Sequence, residues 1–209
     1  MSDKPLTKDE IAEMIARDIP YGSYVNLGIG LPTLVSNHIS PDADVILHTE
    51  NGMLGMGAEA EGDQIDPELI NAGKIAILEN LGASYFHHAD SFAMIRGGHI
   101  DLCVLGAFQV SFNGDLANWH AGNPDDIPSV GGAMDLASGA AKTYIFMTLF
   151  DKAGNSKLVP QCTIPLTAKR CVDRIYTDLA TLAITDSGIE IIDVYGITES
   201  ELKQRVGFN

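Results

Sequence analysis

The sequence predicts an α/β fold, an open and mostly parallel sheet with some antiparallel strands. Strands and helices alternate through the first half of the 209 residues, and strands dominate the second half. Several short apolar runs read as buried strands that feed glycine-rich turns, the usual arrangement where an α/β sheet presents its strand ends to a ligand.

The first element is a helix over about 7–18, because Ile11, Met14, Ile15 and Ile19 recur at helical spacing. Thr7-Lys8-Asp9-Glu10 has the pattern of a capping box and marks its start. Tyr24-Val25-Asn26-Leu27 reads as a strand entering Gly28-Ile29-Gly30, and Pro32 suits the first turn of a second helix. Asp44 to His48 is a second strand, ending at Glu50-Asn51-Gly52. Residues 53–73, rich in glycine and acids, read as a long loop. Ile75 to Leu78 and Leu102 to Gly106 read as buried strands, with a helix from Ala89 to Arg96 between them. A Gly/Pro-rich connection carrying Trp119 covers 111–135. Tyr144 to Leu149, Arg174 to Ile184 and Ile189 to Val194 read as further strands, and Glu199 to Val206 as a closing helix. With no internal repeat or persuasive linker, one domain spanning 1–209 is the simpler reading.

Composition narrows the function classes. A formal net charge of −15 removes the counterion-release drive for nucleic-acid binding and disfavours anionic membrane surfaces. The N-terminal residues have no apolar run of the signal-peptide kind, and no stretch approaches the ~20 apolar residues of a membrane span. Three scattered cysteines (Cys103, Cys162 and Cys171) favour a reducing compartment, with cytoplasm the expectation.

Three glycine-rich sites carry the chemical candidates. Gly28-x-Gly30-x-x-Thr33 follows a strand and resembles half of a dinucleotide fingerprint, with Glu50 about 20 residues onward. Thr takes the third small position and Pro32 interrupts the motif, so a nicotinamide site and a plain tight turn are both open there. Glu50 ends an apolar strand and is followed by Gly52, Gly55 and Gly57. A carboxylate so placed meets little water and can serve as a base or a covalent nucleophile, whereas most single glutamates are solvated. Gly131-Gly132-Ala133-Met134-Asp135, preceded by Val130, exposes backbone donors that suit either an oxyanion hole or an ordinary turn. His87, His88, Asp90, His99 and Asp101 lack the spacing of a zinc motif. There is no GxSxG elbow, and Trp119 reads as a packing anchor.

Taken in order, Asn26-Leu27-Gly28-Ile29-Gly30-Leu31-Pro32-Thr33, Glu50-Asn51-Gly52 and Gly131-Gly132-Ala133-Met134-Asp135-Leu136 resemble the β subunit of family I CoA-transferases. Leu116-Ala117-Asn118-Trp119, Cys162-Thr163-Ile164-Pro165-Leu166-Thr167 and Arg174-Ile175-Tyr176-Thr177 extend the resemblance across about 7–206. It implies a three-layer αβα fold and Glu50 as the nucleophile that becomes a glutamyl-CoA thioester. Gly131 or Gly132 matches the oxyanion-binding position; Asn26 and Lys74 match CoA contacts. Gly28, Gly30, Asn51 and Gly52 complete the implied substrate-binding set. No metal or redox cofactor is implied, the CoA thioester being a substrate. An α subunit is the expected partner, in a heterodimer or a pair of heterodimers. Phe86 to Phe92 and Trp119-His120-Ala121-Gly122 resemble the branch acting on 3-oxoadipate with succinyl-CoA, with acetoacetate or another short acid as the rival. A dicarboxylate needs an extra cation or donor, for which His87, His88 and His120 are the candidates.

Overall fold

A computed structural model describes residues 3–122, 125, 127–128 and 131–208. Helix α1 (Lys8–Asp18) starts at the capping box: Glu10 N–H donates to the Thr7 hydroxyl at 3.2 Å, and Thr7 N–H donates to the Glu10 carboxylate at 2.7 Å. Its Ile11, Ala12, Ile15 and Ala16 form the buried stripe. Strand β1 (Tyr24–Leu27) follows, then a 3-10 helix (Leu31–His38), β2 (Ile46–Thr49), β3 (Met53–Glu59) and β4 (Ile77–Tyr85). Next come α2 (His88–Arg96), β5 (Leu102–Leu105), β6 (Gln109–Ser111), β7 (Leu116–Ala117) and α3 (Ala133–Gly139). The chain continues through β8 (Lys142–Phe146), β9 (Leu158–Val159), β10 (Arg174–Tyr176), β11 (Ala180–Thr185), β12 (Gly188–Val194) and α4 (Glu199–Val206).

Nine strands form one sheet in the order β12-β11-β10-β8-β5-β1-β2-β3-β4. The central five, β10, β8, β5, β1 and β2, run parallel, and an antiparallel pair is added at each edge. From β1 the chain moves to β2 on one side and later returns to β5 on the other. The sheet therefore reverses its winding between β1 and β5, and the carboxyl ends of these two strands flank a crevice. A separate small sheet, β7-β6-β9, packs beside that crevice.

The central strands are covered on both faces, as their alternation shows. Leu102, Val104, Tyr144 and Phe146 join α1 and the 3-10 helix in one apolar core. Cys103, Leu105, Ile145 and Met147 join Ile95 of α2, Leu136 of α3 and Leu202 of α4 in the other. With both faces covered, β5 reads as a continuous apolar run.

Two expectations are corrected here. Residues 53–59 are strand β3, not loop: Gly55 (φ +87°) and Gly57 lie against Ala83 and Leu78, where an added Cβ would sit 3.0 Å from each backbone. Glycine permits the close hairpin with β4, and the same glycines hide the strand from a reading based on propensity. The run from Arg174 to Ile184 is two antiparallel strands, turned at Thr177, whose hydroxyl accepts from Leu179 N–H and Ala180 N–H.

Candidate active site

A cleft of about 540 Å³ opens at the carboxyl ends of the central strands. Gly28 and Ile29 come from the end of β1, Leu105 to Phe108 from the end of β5, and Phe146 and Met147 from β8. Glu50 enters from β2, Gly131 to Ala133 from the start of α3, and Lys157 from the residue before β9. Apolar side chains and glycines dominate this wall. Gly28 is required by the crossing itself: an added Cβ would lie 2.9 Å from the Leu105 side chain and 3.1 Å from the Val104 carbonyl.

Glu50 opens the tight turn from β2 into β3. Gly52 N–H donates to the Thr49 carbonyl at 3.2 Å, and Met53 N–H donates to the Thr49 hydroxyl at 3.1 Å. The turn places the Glu50 side chain against Gly132 at the start of α3, where the Gly132 backbone amide favours the charged carboxylate. An added Cβ on Gly132 would sit 2.6 Å from Oε2 and 2.7 Å from Cδ of Glu50, so only glycine admits the carboxylate at this distance. Burial pushes the Glu50 carboxyl above the ordinary carboxylate value, and the charge of Asp135 adds to it. His88 and the Gly132 amide pull the other way. Asp135 itself accepts from Arg96 at 2.7 Å, which ties α3 to α2.

Beneath Glu50 lies a buried polar layer. Asn26 Nδ2 donates to His48 Nδ1 at 3.0 Å and to the His48 carbonyl at 3.2 Å. Ser91 Oγ donates to the Thr49 carbonyl at 2.8 Å and lies 3.0 Å from His48 Nε2. Since Asn26 Nδ2 offers only donors and Ser91 has spent its proton, His48 is neutral with hydrogen on Nε2. Burial pushes its pKa down to about 4, against the pull of the Ser91 contact. This layer holds the backbone of His48 and Thr49, immediately before Glu50. Asn26 Oδ1 is buried without a hydrogen-bond partner, and Asn26 and Glu50 share the wall of a second cavity of about 10 Å³, room for one water.

The remaining predicted residues divide. Gly131 lines the cleft, and Val130 lies outside the described residues. Gly30 (φ +92°) and Gly52 (φ +114°) shape the turns and do not line the cleft. Asn51 is exposed and donates to the Ile70 carbonyl at 2.8 Å, tethering the segment before β4. Lys74 is exposed in a turn (φ +63°) outside the cleft, next to Gly73, which lines the small cavity. His87 caps α2, His88 packs on Phe92 and His120 accepts from Gly122 N–H; none of the three lines the cleft. Trp119 is an anchor, its indole donating to the Leu166 carbonyl at 3.1 Å. The chain after Gly30 forms a 3-10 helix, so the α-helix N-terminus that a dinucleotide pyrophosphate uses is not built there. Sequence reasoning missed Lys157 and Asn118, both in the cleft wall, because only the packing of the small sheet brings them there.

Residues 8–195 match the family described as Coenzyme A transferase. The chain belongs to the coenzyme A transferase family. It is 53% identical to one of the subunits of the 3-oxoadipate CoA-transferase of Acinetobacter baylyi, over 99% of this chain and 96% of that protein. With the corresponding polypeptide of the succinyl-CoA:3-ketoacid coenzyme A transferase of Helicobacter pylori it shares 45% identity over 95% of each. Among solved structures, an Escherichia coli O157:H7 acyl-CoA transferase in a thioester complex with CoA superposes with a TM-score of 0.72 at 17% identity, a likeness of fold. The match covers 99% of this chain and 41% of that longer one.

Proposed function

We propose that this chain is the β subunit of an enzyme that moves CoA from succinyl-CoA to 3-oxoadipate through a thioester on Glu50. The observation that carries the reading is a half-buried carboxylate inside the cleft with the Gly132 amide upon it. Identity of 53% to a polypeptide of a 3-oxoadipate enzyme, against 45% to one of a 3-ketoacid enzyme, supports the substrate. Both relatives are named as single subunits of larger enzymes. This supports a separate α subunit, paired with the present chain as a heterodimer or two heterodimers. We place the reaction in the cytoplasm.

In the proposed sequence a Glu50 oxygen attacks the acyl-CoA carbonyl. A C–O bond forms, the C–S bond breaks, and CoA leaves as thiolate beside a mixed anhydride. Thiolate then attacks the glutamyl carbonyl, releasing the donor acid as carboxylate and leaving glutamyl-CoA. The acceptor carboxylate reverses both steps and departs as its CoA thioester. Each step exchanges one activated acyl bond for another, so no metal or redox cofactor is required. When thiolate adds at the glutamyl carbonyl, negative charge develops on a Glu50 oxygen, which the neighbouring Gly132 amide can stabilise. Apolar walls keep water from either intermediate. A raised carboxyl pKa makes Glu50 more nucleophilic at the cost of its ionised fraction in acid.

Succinyl-CoA followed by borohydride on the co-expressed αβ complex tests this reading, with peptide mass analysis. Reduction at Glu50 alone is expected, and Glu50→Gln lowers kcat by several orders of magnitude. An active complex with unmodified Glu50 would overturn the mechanism.

A further inference from the structure

Of the described residues lining the large cleft, Glu50 and Lys157 alone carry ionisable side chains. Lys157 stands just before β9, held by two backbone hydrogen bonds: its N–H donates to the Leu149 carbonyl at 2.9 Å, and its carbonyl accepts from Val110 N–H at 2.9 Å. The ammonium is half-buried, and burial lowers its pKa while the charges of Asp178 and Asp151 oppose that shift. No ion pair engages it among the described residues. Asp178 accepts from Leu149 N–H, and Asp151 is wrapped by the amides of Ala153 and Asn155. The charges acting on Glu50 are those of Asp135 and His88.

An acid that reacts at Glu50 through one carboxyl leaves its other end in this largely apolar wall. For a monocarboxylate that end is hydrocarbon and suits the lining. For a dicarboxylate it is a second anion, costly to desolvate beside Glu50 unless a cation receives it. We propose that Lys157 is the specificity-determining residue that pairs with the distal, non-reacting carboxylate of dicarboxylic substrates. This rests on Glu50 being the reacting centre. It also moves the cation away from the three histidines, none of which lines the cleft.

The test uses the αβ complex and compares succinyl and 3-oxoadipate with acetyl and acetoacetate as transferred acids. Lys157→Met keeps most of the stem and removes the charge. The ratio of kcat/KM for the dicarboxylic over the monocarboxylic pair should fall about 100-fold, through KM, as loss of a desolvated charge pair does. Lys157→Arg should restore most of it. In the unsubstituted complex, adipate should protect the Lys157 amine from reductive methylation, and hexanoate should not. An unchanged ratio, or equal labelling with both acids, overturns the proposal even if Lys157→Met disrupts the complex. Borohydride trapping at Glu50 in the same preparation separates the two ideas. Successful trapping with a flat ratio removes Lys157 alone, whereas failed trapping removes the glutamyl mechanism.

Discussion

At position 132 one missing carbon decides whether the candidate site exists. Gly132 has an ordinary right-handed backbone (φ −69°, ψ −3°), so an alanine there meets no conformational penalty. Its Cβ would, however, occupy space 2.6 Å from the Glu50 carboxylate. Gly132→Ala should therefore change stability by no more than about 1 kcal/mol. Turnover and borohydride trapping at Glu50 should drop by about 100- to 1,000-fold, the scale of losing an oxyanion donor. Thermal unfolding and steady-state kinetics of the same preparation check both halves, and full activity would remove Gly132 from the site. Gly131 differs in kind: among the described residues nothing lies within 4 Å of an added Cβ, so its alanine variant should be milder. The motif alone offered both glycines equally, because choosing between them needs the position of a side chain about 80 residues away in sequence.

The turn between β2 and β3 shows how an element aims a functional group. Gly52 has φ +114°, and an added Cβ would lie 2.1 Å from the Phe86 carbonyl, a backbone atom that cannot step aside. Gly52→Ala should cost about 2–3 kcal/mol from strain and displacement of the strand pair. It should also abolish trapping at Glu50, so a variant that is stable and active would contradict the role given to this turn. Legibility follows the same physics. The start of α1 was readable because Thr7 and Glu10 satisfy each other locally, β5 because both of its faces are apolar, and β1 and β2 as short runs around the core residues Val25 and Leu47. Glu50 was readable as a carboxylate at the end of such a strand. Strand β3 was not, since its glycines serve contact with β4. Lys157 was not, since β6, β7 and β9 have only two or three residues each, too few for a period to show.

Across the whole molecule, stability and reactivity meet in the polar layer under the cleft. The reversal of winding between β1 and β5 opens the crevice, and the chain must bury Asn26, His48 and Ser91 beneath the adjacent β1 and β2 ends to support it. His48 is 1% exposed and neutral, with a folded pKa of about 4 against an ordinary value of 6.5. A depressed folded pKa means the unfolded chain takes up the proton first. His48 therefore contributes stability above pH 6.5, and that contribution is lost as pH falls toward 4. Protonation would also set a second donor at Nδ1 against the Asn26 amide. Between pH 7 and pH 5 the loss should be about 1–2 kcal/mol, or roughly 3–6 °C in unfolding temperature for a chain of this size. His48→Gln removes the titrating group, so it should be less stable at pH 7 yet lack this component of the acid slope. Comparing the two proteins cancels the background of carboxylate titrations, which both share. Thermal midpoints at half-unit pH steps give the difference, and parallel slopes would mean that His48 is not held neutral by the layer that positions Glu50.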